Sequence, residues 1–322
     1  MIGRQRPDHD VNTDPNLPRR TIYKIMKTKY SIAIILAGTL WGSMGLFTRV
    51  LTGYGLTPPD LIIVRVGISA VLFFATILIK DPGAVKVKPS DFWCFIGSGI
   101  ISLMFFTYCY FNAQQMMSLA AAAILLYLAP AIVMVLSAIL FKEPITKTKI
   151  AALVLALIGC ALVSGVLGHS VALTPKGLLY GLGSAVGYAL YSIFARFAIN
   201  KGYSSTTINA YSCALAAIGA AVIFRPAGFF ARVTQSPAVI VWCVIASIVT
   251  CYLPYALYTY GLTGVENGKA SVMASVEPVV AGIIGVVIFN ETPTLASIIG
   301  TLFVLIAIVL LNKQTITEDL VD

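Results

Sequence analysis

The sequence predicts an all-α integral membrane protein of about ten transmembrane helices, arranged as two inverted five-helix repeats. Three observations predict it: a shortage of charge, a succession of apolar runs of bilayer length, and a self-similarity between the two halves. Only 11% of the 322 residues are charged and 58% are hydrophobic, with a mean hydropathy of +0.90. A soluble domain carries roughly 25% charged residues. At less than half that proportion the chain cannot cover itself with polar surface in water, and the bilayer is the solvent it requires.

Residues 1–29 read as a disordered polar tail, broken by Pro7, Pro15 and Pro18. The tail lacks the short apolar stretch and small-residue cleavage site of a signal peptide. About 20 apolar residues cross the hydrocarbon core. Runs of that kind fall at 31–50, 60–79, 91–113, 118–141 and 150–167, then at 176–199, 206–224, 238–261, 267–289 and 294–311. They are continuous rather than alternating, so they span as helices and not as barrel strands. The fifth run is the shortest, and without it the count is nine. The domain division that follows is a first repeat at 30–167, a second at 168–312 and a C-terminal tail at 313–322.

Basic residues set the expected orientation. With the N-terminus inside, the inner segments hold Arg4, Arg6, Arg19, Arg20, Lys24, Lys27, Lys29, Lys80, Lys86, Lys88, Lys142, Lys147, Lys149, Lys201, Lys269 and Lys313. The outer segments hold Lys176, Arg225 and Arg232. This bias places both termini in the cytoplasm of an inner, or plasma, membrane protein. It also accounts for the net charge of +9 without a nucleic-acid partner.

The two halves resemble each other. At a shift of 147 residues Phe47 falls on Phe194, Arg49 on Arg196 and Gly55 on Gly202; at 148, Tyr110 falls on Tyr258, Pro130 on Pro278, Phe141 on Phe289 and Glu143 on Glu291. Arg, Pro and Glu are scarce here, so their agreement carries more than that of Leu or Ala. An odd number of helices per repeat inserts the halves in opposite directions, the inverted topology found in secondary transporters.

On these residues the chain resembles the drug/metabolite transporter superfamily, in its EamA-type branch. The resemblance rests on Trp41-Gly42-Ser43 running on to Phe47 and Arg49, on Arg65 soon after Pro58-Pro59, and on the pairs Pro130 with Glu143 and Pro278 with Glu291. It covers about residues 30–312. It implies a ten-helix fold around a central cavity that moves small polar or amphipathic metabolites by alternating access.

Glu277 is the sharpest candidate for substrate or proton binding. It falls near the middle of the ninth run, before Pro278, and an ionised group at that depth costs about 2.5–3.5 kcal/mol or more. It either faces a wet cavity and carries a substrate amine or coupling proton, or is neutralised within the bundle. Further candidates are Arg65, which either snorkels and pairs or meets substrate, and a group of aromatics placed at mid-membrane depth: Trp41, Tyr108, Tyr127, Tyr188, Tyr191, Tyr252 and Tyr255. Pro130 and Pro278 are hinge candidates, since each lacks a backbone donor and clashes with the preceding turn. Glu143 and Glu291 are structural, fixing helix ends and turns. Gly38, Gly42 and Gly45, with Gly177, Gly181, Gly183 and Gly187, suit close helix packing. Arg49 and Arg196 read as interfacial anchors.

The six cysteines lie in apolar runs without a C-x-x-C pair, and His9 and His169 are the only histidines. No metal, disulfide framework or cofactor is expected from them. The absence of a P-loop pattern removes that route to ATP, and nothing resembles the His and acid cluster of a membrane-embedded transferase. The expectation is a secondary transporter, an exporter of amino acids or related metabolites, with a multidrug exporter of the same fold as the alternative. Lipid, a small-molecule substrate and a coupling proton are the partners; ten helices enclose a site without a second copy, so a monomer is expected.

Overall fold

The computed structural model describes residues 19–116, 119–164, 174–290 and 292–318. Among them, nine helices are long and apolar enough to cross a membrane: α1 (Thr28–Gly53), α2 (Pro58–Lys80), α3 (Pro89–Tyr110), α4 (Ala122–Phe141), α6 (Pro175–Asn200), α7 (Ser205–Phe224), α8 (Pro237–Leu262), α9 (Asn267–Phe289) and α10 (Leu295–Asn312). The helix at the fifth expected run, α5 (Lys147–Val163), has 17 residues. At 1.5 Å per residue that is about 26 Å, a little short of a full crossing. No strand occurs among the described residues, and the chain is a multi-pass membrane protein.

Both expected tails shrink. The helix that becomes α1 starts at Arg19, so residues 19–29 are helical rather than disordered, and the last helix runs on to Glu318. A helix already nucleated in the bilayer extends cheaply into water, because each further residue adds a hydrogen bond.

Packing joins the halves rather than separating them. α1 lies on α8 and α3 on α6, a pair of contacts related by the repeat; α2 packs on α7, α5 on α10, and the first part of α9 on α4. The α5–α10 crossing is close because both helices present glycine. A Cβ on Gly159 would stand 2.7 Å from the Gly300 carbonyl oxygen, and one on Gly300 would stand 2.6 Å from that of Gly159. Small residues let backbones approach in this way where no hydrophobic effect drives helices together. The outward faces remain apolar and exposed, as at Val71, Ile79, Ile139, Leu179 and Val287. In water such a surface would aggregate; against lipid it is matched.

Two irregularities recur in both halves. α3 contains a π-helical stretch, Gly97–Met104, and α8 contains one at Ile248–Tyr252. Positions 100 and 104, moved by 148, become 248 and 252. α4 and α9 are each broken: α4 at Tyr127–Leu128, before a helical segment Ala129–Phe141, and α9 at the 3-10 turn Ala274–Val276, before Glu277–Phe289.

Pro130 and Pro278 stand in the first turn of those second segments. There the missing N–H would have had no intrahelical partner. The prolines therefore start new helices rather than kink continuous ones, a correction to the expected clash with a preceding turn. Each segment ends on a left-handed residue, Lys142 (φ 58°) and Asn290 (φ 54°), which turns the chain sharply off the helix axis. The 13-residue interval from Pro130 to Glu143 is the length of one half-helix plus its cap.

Candidate functional site

The aromatic residues converge in part. Trp41 meets Tyr255 at 5.2 Å between ring centroids, Tyr258 at 5.3 Å and Tyr188 at 6.3 Å; Tyr191 meets Tyr255 at 4.9 Å. Edge and tilted contacts of this kind suit ring quadrupoles. Two of the hydroxyls are satisfied within the box: Tyr191 donates to Asn209 Oδ1 at 2.5 Å and lies 2.8 Å from Thr259 Oγ1, and Tyr258 is 2.8 Å from Ser192 Oγ. The Asn209 amide in turn donates to the Tyr255 carbonyl at 3.0 Å. This box joins α1, α6, α7 and α8. Tyr258 and Asn209 belong to it, although sequence reasoning did not include them.

Three of the expected aromatics lie elsewhere. Tyr108 is 37% exposed and packs against Tyr180 and Phe224 on the outside of the bundle. Tyr252 packs on Phe73 and shares a hydrogen bond with Thr76 Oγ1 at 2.8 Å. Tyr127 joins Cys160, Val276, Val279 and Val304 in an apolar cluster. Tyr108 lies near the outer end of α3, beside the last residue of α7, and not at mid-depth.

Beside the box, a cavity of about 200 Å³ lies between α1, α2, α3 and α8. It runs from Leu51 and Pro58, at the end opposite the termini, inward to Arg65, Val66 and Ser247. Its walls are mainly apolar, with Phe47, Leu61 and Phe106 prominent. The π-helical stretches supply Leu103 and Thr250, and such bulges reposition side chains that a regular helix would turn away.

Arg65 lines this cavity. Its Nη1 contacts Met44 Sδ at 2.8 Å, and its buried Nε has no hydrogen-bond partner. Asp60, five residues earlier, is engaged elsewhere. It caps α2 through Thr57 and accepts Arg232 Nε and Nη2 at 2.7 and 2.9 Å.

Glu277 opens the second segment of α9, where the positive end of the helix dipole favours an anion. Gly38 and Gly42 of α1 let that break come close: a Cβ on either would stand 2.7 Å from the Ala274 and 2.6 Å from the Glu277 carbonyl oxygens. Glu277 is half-buried and within electrostatic reach of Arg65, Tyr127 and Tyr188. It does not line the cavity itself.

The end that carries the termini is closed. Glu143 accepts the Asn267 and Gly268 amides at 2.9 and 3.1 Å. Arg196 donates to Asn267 Oδ1 at 2.9 Å and to the Val265 carbonyl, so it fixes the turn before α9 rather than anchoring at an interface. Lys149 pairs with Glu266 at 2.6 Å, and Lys269 stands 3.5 Å from the same oxygen. Lys201 pairs with Asp91 at 2.7 Å, which holds the lysine above its usual range. Arg49, at the opposite end, lies over the Phe289 ring at 4.0 Å. Glu291 lies outside the described residues, as does His169. Among the described residues no group of three or more His, Cys, Asp or Glu side chains is placed to hold a metal.

Comparison with known proteins agrees with this architecture. Residues 28–165 and 175–313 each match the model of the EamA-like transporter family. An uncharacterized transporter of Archaeoglobus fulgidus is 29% identical over 287 residues, 88% of this chain and 96% of its own. The uncharacterized transporter YxxF of Bacillus subtilis is 24% identical over 314 residues, 94% of this chain and 95% of its own. A solved crystal structure superposes with a TM-score of 0.74, covering 88% of this chain and 96% of that one at 20% identity, a likeness of fold.

Proposed function

Because this chain belongs to the EamA-like transporter family, within the drug/metabolite transporter superfamily, we propose that it is a secondary transporter working by alternating access. Its cargo is small metabolites, amino acids or related compounds, and it moves them outward across the plasma membrane. The asymmetry between the two ends carries this reading. A cavity enters between the repeats from the end opposite the termini, and the other end is held shut by contacts of Glu143 and Lys149 that also join the repeats.

Two halves of like structure and opposite orientation exchange such states by rocking against each other. The broken helices α4 and α9 supply the element that differs between states. The basic-residue bias assigns the open end to the outside, and in an exporter that is the releasing state. Glu277 is the candidate for a coupling proton, because it stands beside the break in α9. The apolar cavity walls favour a second reading, export of hydrophobic drugs.

Uptake into proteoliposomes of a labelled amino-acid and metabolite panel, with and without a proton gradient, tests both. Saturable accumulation that follows the gradient supports a proton-coupled metabolite carrier. Flux inhibited by a broad set of hydrophobic cations moves the assignment to drugs. No flux for either class, in folded protein, removes the carrier.

A further inference from the structure

Arg65 is a permanent cation in a cavity with mostly apolar walls. Guanidinium has five N–H donors in a fixed fork and keeps its proton at any physiological pH. The protein atoms around it do little with those donors. Its near neighbours are two sulfur groups, the Met44 thioether at 2.8 Å and the Cys251 thiol, and sulfur is a weak acceptor. Its Nε is buried without a partner. Among the described residues no ion pair is formed with it: Asp60 is taken by Arg232, Asp91 by Lys201, and Glu266 by Lys149 and Lys269, while Glu277 is within electrostatic reach without pairing. A half-buried cation left this way is costly unless something else completes it.

Tyr110 apart, the remaining hydroxyls of the cavity turn their protons away from it. Thr48, Thr107, Ser247 and Thr250 donate their hydroxyl protons to carbonyls four residues earlier, at 2.6–3.0 Å. What they turn outward is oxygen lone pairs. Arg65 is the charged residue among those lining this cavity, and its planar fork matches a carboxylate.

We propose that the cargo is an amphipathic carboxylate, its carboxylate held by the Arg65 guanidinium at the position Met44 now takes and its apolar body lying along Phe47, Leu51, Leu61 and Phe106. This rests on the carrier reading above and adds to it the chemistry of the molecule carried. Met44 acts as a placeholder on the guanidinium that the carboxylate displaces.

The test compares three probes of similar shape on the purified full-length protein: phenylacetate, its neutral amide phenylacetamide, and phenethylammonium. Equilibrium dialysis of wild type is expected to show phenylacetate bound at least tenfold more tightly than either of the others. In Arg65→Gln that preference disappears, and Arg65→Lys keeps a reduced preference. Equal binding of phenylacetate and phenylacetamide by wild type overturns the proposal, as does preference for the ammonium probe or a preference that survives Arg65→Gln. The wild-type ratio decides the matter even where a variant fails to fold. Carboxylate binding without flux in proteoliposomes keeps the Arg65 assignment and removes the carrier; flux without carboxylate preference does the reverse.

Discussion

Glu143, at the end of the first repeat's broken helix, caps the first amides of the second repeat's broken helix: its two carboxylate oxygens accept Asn267 N at 2.9 Å and Gly268 N at 3.1 Å. The left-handed Lys142 makes this reach possible by turning the chain off the axis of α4. Negative charge at a helix N-terminus answers both its unpaired N–H groups and its dipole. The contact thus links a helix end in one half to the helix that carries Glu277 in the other.

Loss of that cap should loosen the closed end. Removing an N-terminal cap typically costs about 1–2 kcal/mol. Glu143→Ala is expected to lower the unfolding midpoint and to speed thiol labelling of a cysteine placed at Ser271, which is buried beneath the cap. Glu143→Gln keeps one acceptor oxygen and should fall between. Labelling at the wild-type rate in Glu143→Ala would show that the cap does not hold this end shut.

The Lys149–Glu266–Lys269 cluster makes an ordering prediction. Lys149 and Lys269 are 1% and 4% exposed, and both face Glu266 Oε2. Glu266→Gln leaves two buried ammonium groups side by side, which should destabilise by about 1–3 kcal/mol, since Glu266 itself is a third exposed and partly screened. Lys269→Met removes a like charge and leaves the 2.6 Å pair intact, so it should be close to neutral. Denaturant titration of the two variants separates them, and equal losses would contradict the arrangement.

At the opposite end, Arg232 holds Asp60 through two parallel hydrogen bonds. Asp60 is fully buried, so Arg232→Ala leaves its charge with Thr57 alone and should lower the unfolding midpoint by several degrees. Arg232→Lys should recover only part, because an ammonium cannot form the two-pronged contact. Full recovery by lysine would mean that charge alone, without the fork, secures this loop.

Glu277→Gln tests coupling separately from cargo binding. The amide preserves shape and hydrogen-bonding capacity but carries no exchangeable charge. Gradient-driven accumulation should be lost at every pH, while exchange of cargo across the membrane persists. Normal accumulation in Glu277→Gln across the pH range would remove Glu277 from coupling.

The membrane class was legible because it depends on composition and run length, which need no partner; of the ten expected runs, nine form helices long enough to cross among the described residues. The pattern of Pro130 with Glu143 and Pro278 with Glu291 was legible too, because Pro and Glu are rare against a Leu, Ala and Val background. The meaning of that pattern was not legible, since the partner of Glu143 lies 124 residues away. Position along a helix could be counted from the run boundaries. Rotation about the axis could not. In a soluble helix the polar face marks the outside, whereas here lipid-facing and cavity-facing sides are both apolar and leave no stripe to read.

Sequence alone thus determined a membrane-embedded, all-helical chain in two inverted halves, because bilayer thickness and the scarcity of charge leave few other solutions. Tertiary structure alone decided which side chains meet. It brought Arg65 to a cavity wall without an ion pair, sent Asp60 to Arg232 across 172 residues of chain, and turned Tyr108 outward while drawing Tyr258 in. Those choices depend on how helices rotate and cross, which glycine contacts, π-helical stretches and left-handed caps set together, and each becomes defined only once the opposing helix is in place.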